Sequence, residues 1–190
     1  MEVVGDSFHI FGSTIPQDPS IILEKAFLSA GAVIVSQAGK NPSWNGMATT
    51  LTAALVDDSG SAVIAHAGDS RAYHIGDSIR QITKDHSLVR EMAEKGEIPP
   101  NQTGRHPLRG KITRALGMVS CTPDMYSVNL ESGTLLLCSD GLTEGLADQK
   151  IFSVISSYPI NAACRELVAS AKRTSRDNIS VVLATARSKI

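Results

Sequence analysis

Thr134-Leu135-Leu136-Leu137-Cys138-Ser139-Asp140-Gly141, with its later counterpart Arg176-Asp177-Asn178-Ile179-Ser180-Val181-Val182-Leu183-Ala184, decides the fold. Each phrase sets an aspartate at the edge of a short apolar run. Such a run, bounded by turn residues, reads as a buried strand. Asp140 and Asp177 then stand at the mouth of a rigid sheet. There a carboxylate is a hard-oxygen ligand suited to Mg²⁺ or Mn²⁺. Facing one cleft, the two are half of a metal-dependent hydrolase site. A third phrase repeats the pattern: Ser61–Ala67 leads into Gly68-Asp69-Ser70-Arg71, and the glycine permits a sharp turn before the aspartate.

Outward from these phrases, Thr49–Val56 and Ser61–Ala67 read as a hairpin about Asp57-Asp58-Ser59-Gly60. Arg71–Ile75 and Ser78–Thr83 form a second about Gly76-Asp77. Tyr126–Leu130 and Thr134–Asp140 are expected to pair as a third about Glu131-Ser132-Gly133, and the last strand runs from Ile179 to Ala186. Asp18-Pro19 opens a long helix, with aspartate as cap and proline at the first position. Asp85-His86-Ser87 offers caps for a short helix from Leu88 to Lys95, closed by Gly96. Asp148 is expected to cap a helix from Gln149, and residues 161–173 carry another. Trp44 reads as a packing anchor. Residues 97–110, rich in proline and glycine, form a loop or flap. Strands come mostly as hairpins, with helices outside. The expected class is α+β, with a mainly antiparallel sheet.

Composition narrows the function. The chain has 190 residues, enough for one domain with its own core. Its 42% hydrophobic and 19% charged residues are those of a globular protein. The net charge of −1 leaves no footprint for nucleic acid. Cys121, Cys138 and Cys164 form no C-x-x-C, which argues against structural zinc and a disulfide framework. Met1-Glu2-Val3-Val4-Gly5-Asp6 lacks the basic and apolar regions of a signal peptide, and no run approaches the ~18 apolar residues of a membrane span. No membrane partner and a cytoplasmic location are therefore expected.

The motifs together resemble a family. Gly46-Met47-Ala48-Thr49-Thr50-Leu51, Gly68-Asp69-Ser70-Arg71-Ala72-Tyr73, Gln81-Ile82-Thr83-Lys84-Asp85-His86-Ser87-Leu88-Val89, His106-Pro107, Ile112-Thr113-Arg114-Ala115-Leu116-Gly117, Leu136–Thr143 and Arg176–Val182 follow the order seen in metal-dependent serine/threonine protein phosphatases of the PPM or type 2C class, especially the small bacterial form. The resemblance implies two stacked antiparallel sheets flanked by helices, and hydrolysis of phosphoserine and phosphothreonine by a water activated between Mn²⁺ or Mg²⁺ ions. It implies that Asp140 and Asp177 bind one catalytic ion and that Asp69 helps hold a further, weaker one. His106, in the flap beside the cleft, is the candidate for substrate contact. The implied partner is a phosphorylated protein, with this enzyme opposing a serine/threonine kinase.

One departure stands out. The family opens with an N-E-D strand and a second strand ending in D-G-M-G-G, whose aspartate bridges the ions. Neither phrase is found in this sequence. Residues 1–190 then read as a single phosphatase-like domain, N-terminally shortened, that starts just past that motif. A rival placement makes Gly5-Asp6-Ser7-Phe8 a degenerate N-E-D strand. Two strands short, the sheets would expose edges open to self-association. The alternative function is a catalytically impaired relative that binds phosphoproteins or partners.

Overall fold

The computed structural model describes residues 18–118, 121–130 and 133–186. Both placements of the opening phrase fall on residues 1–17, outside the described residues. The described chain runs α1 (Pro19–Ala38), a 3₁₀ turn (Pro42–Trp44), β1 (Leu51–Val56), β2 (Ser61–Ala67), β3 (Arg71–Ile75), β4 (Ile79–Gln81), α2 (Leu88–Glu94), a 3₁₀ stretch (Pro100–Arg105), β5 (Asp124–Asn129), β6 (Thr134–Cys138), α3 (Asp140–Gly145), α4 (Asp148–Ser157), α5 (Ile160–Ala171) and β7 (Val181–Thr185).

Two antiparallel sheets stack face to face, in the orders β1-β2-β5 and β4-β3-β6-β7. Period-two alternation builds the layers. On β2, Ala62 and Ile64 point between the sheets, where they meet Ala72, Val128, Leu130 and Leu135. Ala65 and Ala67 point the other way, onto Leu23 and Phe27 of α1. On β6, Leu136 and Cys138 face Leu142, Ile151, Leu167 and Ala171 of the opposite helical layer. The result is helix, sheet, sheet, helix, the α+β class expected from the sequence.

The β1-β2 and β3-β4 hairpins form as expected, at Leu51↔Ala67 and Ile75↔Ile79. The third hairpin does not. β5 pairs with β2, and β6 lies between β3 and β7, so the chain crosses between sheets where a hairpin was expected. Both runs are apolar because both line the space between the sheets, and a glycine turn serves a crossing as well as a hairpin. The chain also crosses between the sheets at Gly68-Asp69-Ser70, between β2 and β3. Gly68 has φ +127°, and a Cβ there would lie 2.4 Å from Thr50, so only glycine fits.

Three local readings change. β6 stops at Cys138, and Asp140 opens α3 rather than ending the strand. Asp148 is the first helical residue of α4 rather than its cap, and its carboxylate accepts from Tyr73 Oη at 3.3 Å. Trp44 is 47% exposed, not a packing anchor. Asp18 does cap α1, accepting from the Ser20 N–H at 2.9 Å.

α1 is unusual. Only Leu23 and Phe27 are buried, while Ile21, Leu28, Val33 and Val35 are exposed. By length and composition alone it is apolar enough to cross a membrane, with mean hydropathy 1.5 over its best window. That corrects the expectation that no run qualifies. Its packing through Leu23 and Phe27 onto β1 and β2 is that of a sheet-covering helix.

Candidate active site

The carboxylates predicted at strand ends meet at one end of the sandwich. Asp69, Asp140 and Asp177 line a cleft of about 560 Å³, together with Arg71, Asp85, Arg109, Thr143 and Glu144. A larger cavity of about 810 Å³ lies elsewhere, beside Val35, Met47, Gly117 and Met118. Among the described residues no carboxylate lines it, so the chemistry belongs to the smaller cleft.

The Asp140 and Asp177 loops are stitched together. Ser139 N–H donates to the Ser180 carbonyl at 3.1 Å, Ser180 N–H donates to Ser139 Oγ at 3.0 Å, and Ser139 Oγ donates to the Asn178 carbonyl at 3.1 Å. A Cβ on Gly141 would lie 2.3 Å from the Asn178 carbonyl oxygen, so the residue after Asp140 must be small for the loops to meet. These contacts explain the shared S-D-G and R-D-N phrases: serine joins the loops and glycine lets them close.

Electrostatics mark the cleft as crowded with negative charge. Burial and then Asp140 push the Asp69 carboxyl up to about 6. Burial and then Asp177 push Asp140 up from the ordinary aspartate value, with Glu144 adding to the effect. Like charges held together and partly desolvated favour protonation or a cation. The donor set, hard carboxylate oxygens, therefore fits a divalent ion of the Mg²⁺ or Mn²⁺ type. Among the described residues no three such side chains already converge on a single point.

Positive charge is ordered around this floor. Arg71 is spent on Asp85: its Nε lies 2.9 and 3.0 Å from the two carboxylate oxygens, and its Nη2 lies 2.6 Å from one of them. Burial works against the cation, but the Asp85 ion pair overrides it and keeps the guanidinium charged. Gln81 Nε2 adds a bond to Asp85 at 2.8 Å. Asp85 thus anchors Arg71, although the sequence suggested a helix cap; Ser87 is the N-cap residue of α2, with no side-chain cap bond. From the flap, Arg109 Nη2 reaches Glu144 at 3.0 Å, tying the flap to α3.

His106 is not among the residues lining the cleft; Thr103, Gly104, Pro107, Arg109 and Gly110 represent the flap there. The His106 Nδ1 accepts from the Leu108 N–H at 3.2 Å, a local turn contact. Sequence reasoning missed Glu144. Glu144 was findable, since four residues after Asp140 is the same face of a helix, had α3 been recognised.

A protein phosphatase 2C family model matches residues 11–179. Protein phosphatase PhpP of Streptococcus pneumoniae is 38% identical over 154 residues, covering 78% of this chain and 62% of the relative. Serine/threonine phosphatase stp of Listeria innocua is 40% identical over 138 residues, covering 71% and 54%. The chain therefore spans less than two thirds of these curated relatives. Among solved structures, serine/threonine phosphatase Stp1 from Staphylococcus aureus superimposes with TM-score 0.86 at 33% identity, covering 94% of this chain and 72% of that one. The catalytic domain of serine threonine protein phosphatase PstP, solved with two manganese ions, gives TM-score 0.80 at 29% identity, covering 90% and 73%. The stacked sheets, the stitched aspartate loops and a family match over most of the residues lead to one conclusion: this chain belongs to the protein phosphatase 2C family.

Proposed function

We propose that this chain hydrolyses phosphoserine and phosphothreonine in proteins with the help of Mn²⁺ or Mg²⁺. The observation that carries this reading is the convergence of Asp69, Asp140 and Asp177, from three separate segments of the chain, on one cleft. Asp140 and Asp177 would hold one ion between them, and Asp69 would help hold another. Bound divalent ions supply Lewis acidity and a water acidified enough to attack phosphorus at neutral pH. The chain's own part is orientation. Ser139 and the Gly141–Asn178 approach fix the distance between two carboxylates, and Arg71–Asp85 stiffens the strand start beside the third. Arg90 and Arg109, on the flap side, bring positive charge towards an anionic substrate.

On this reading the partners are phosphorylated proteins, the products of a serine/threonine kinase in the cytoplasm. Self-association through the outer edges of β1 and β7, which pair with no other strand among the described residues, belongs to the same proposal. Hydrolysis of p-nitrophenyl phosphate and of phosphopeptides, with Mn²⁺ titrated and Asp140→Ala alongside, is the test. Mn²⁺-dependent turnover that falls at least about 100-fold in Asp140→Ala is expected, roughly the loss of a main transition-state contact. No Mn²⁺-dependent turnover above blank overturns the catalytic reading. Phosphopeptide binding without turnover would establish a binding module instead.

A further inference from the structure

Asp69 is presented by a turn that one residue, His86, grips twice, once through its ring and once through its own backbone N–H. Gly68 N–H donates to His86 Nδ1 at 3.1 Å, and His86 N–H donates to the Gly68 carbonyl at 2.7 Å. A backbone N–H can only donate, so Nδ1 carries the lone pair and Nε2 carries the proton. That proton faces Asp124 Oδ2, 3.1 Å away, and Asp124 is in turn ion-paired to Arg114. Burial opposes the Asp124 charge, but His86 and Arg114 hold its carboxyl below the usual aspartate value. His86 is 7% exposed and stacks on the fully buried His66, with centroids 4.9 Å apart. The ring therefore has one orientation and one tautomer.

The same residue meets the base of the flap. Thr113 N–H donates to the His86 carbonyl at 2.9 Å, and Ser87 bridges to Ile112. Gly68, at φ +127° with Thr50 against its missing Cβ, has no freedom to settle elsewhere without breaking this grip.

We propose that His86 is a positioning residue for metal binding: by clamping the Gly68 peptide through Nδ1 and its own N–H, with Asp124 and Arg114 fixing the tautomer, it aims the Asp69 carboxylate into the cleft. This rests on the reading of Asp69 as a metal ligand. His86 touches neither metal nor substrate. Side chains that orient a metal ligand indirectly typically change metal affinity by about 10–100-fold.

The test compares two polar replacements. His86→Asn places an amide oxygen near the position of Nδ1, while His86→Gln carries its amide further out, near Nε2. Mn²⁺ is titrated into wild type, Asp69→Asn and both His86 variants, with bound ion read from loss of the free-Mn²⁺ electron paramagnetic resonance signal. Thermal midpoints and Gly68 amide exchange are followed alongside. His86→Gln is expected to weaken the Asp69-dependent site about tenfold. His86→Asn should stay within about threefold of wild type, in keeping with its retained acceptor. The Gly68 amide should be protected in wild type and His86→Asn, and fast in His86→Gln. If Asp69→Asn titrates like wild type, the ligand reading fails and takes this inference with it. If Asp69→Asn weakens binding while His86→Gln does not, this inference alone fails. Equal weakening by Asn and Gln with equal loss of thermal midpoint reduces His86 to packing and overturns it. Should His86→Gln not fold, a fast-exchanging Gly68 amide in wild type overturns it as well.

Discussion

The two sheets are covered very differently. The four-stranded sheet packs Tyr73, Ile75, Leu136 and Cys138 against Leu142, Ile151, Val154, Ala163, Leu167 and Ala171 from three helices. The three-stranded sheet has one described helix, α1, which buries Leu23 and Phe27 and leaves Leu28, Val33 and Val35 about half exposed. Asp140 and Asp177 hang from the well-covered sheet; Asp69 sits where the chain crosses between the two. Two of the candidate ligands are therefore held by a closed core. The third depends on a crossing turn and on what grips it.

Identical substitutions in the two layers measure that contrast most directly. Leu136→Ala, in the closed layer, should cost about 4 kcal/mol of unfolding free energy by denaturant titration, near the top of the usual range because its surroundings cannot collapse. Leu23→Ala, in the open layer, should cost about 2 kcal/mol, because a helix with a free outer face can shift to fill the gap. Equal losses would mean that the layers are equally closed, and the comparison would break.

Between those in size lies a pH effect at the crossing. Burial, and then the neighbouring His86, push His66 from 6.5 down to about 4. The unfolded chain then binds the extra proton between these values, so His66 contributes its full stability above pH 6.5 and loses it as pH falls towards 4. The loss is up to about 3 kcal/mol. Asp69, raised from 3.8 to about 6, works in the opposite direction: its folded form holds the extra proton, so the metal-free protein loses stability as pH rises through that window. Asp69→Asn removes the opposing contribution. In chelator, its melting temperature should exceed that of wild type at pH 7 and fall more steeply on acidification to pH ~4.5. A variant no steeper than wild type would show that the two groups do not oppose one another. The smallest expected change is on the open face of α1: Val33→Ser, at a residue 58% exposed, should alter stability by less than ~0.5 kcal/mol. A larger loss would show that this face is covered in solution.

Much of this architecture was legible in the chain because its signals are local. Turn residues marked the β1-β2 and β3-β4 hairpins, Asp18-Pro19 marked the start of α1, and three aspartates after or before apolar runs marked the cleft. The errors cluster where two structures share one local signal. Glu131-Ser132-Gly133 suits a hairpin or a crossing, and Asp140 after an apolar strand suits a strand end or the first turn of a helix. His106 had the right segment, but only packing shows that Arg109 and Pro107, not the imidazole, face the cleft.

Sequence alone determined the strand pattern, the family and the identity of the three carboxylates, because periodicity, turn residues and motif order are written along the chain. Tertiary structure decided what those groups do together. It put β5 and β6 in different sheets, committed Arg71 to Asp85, joined the Asp140 and Asp177 loops through Ser139, and set His86 beneath Gly68. Each of these rests on contacts between residues separated along the chain, and its geometry exists only once the sheets have packed.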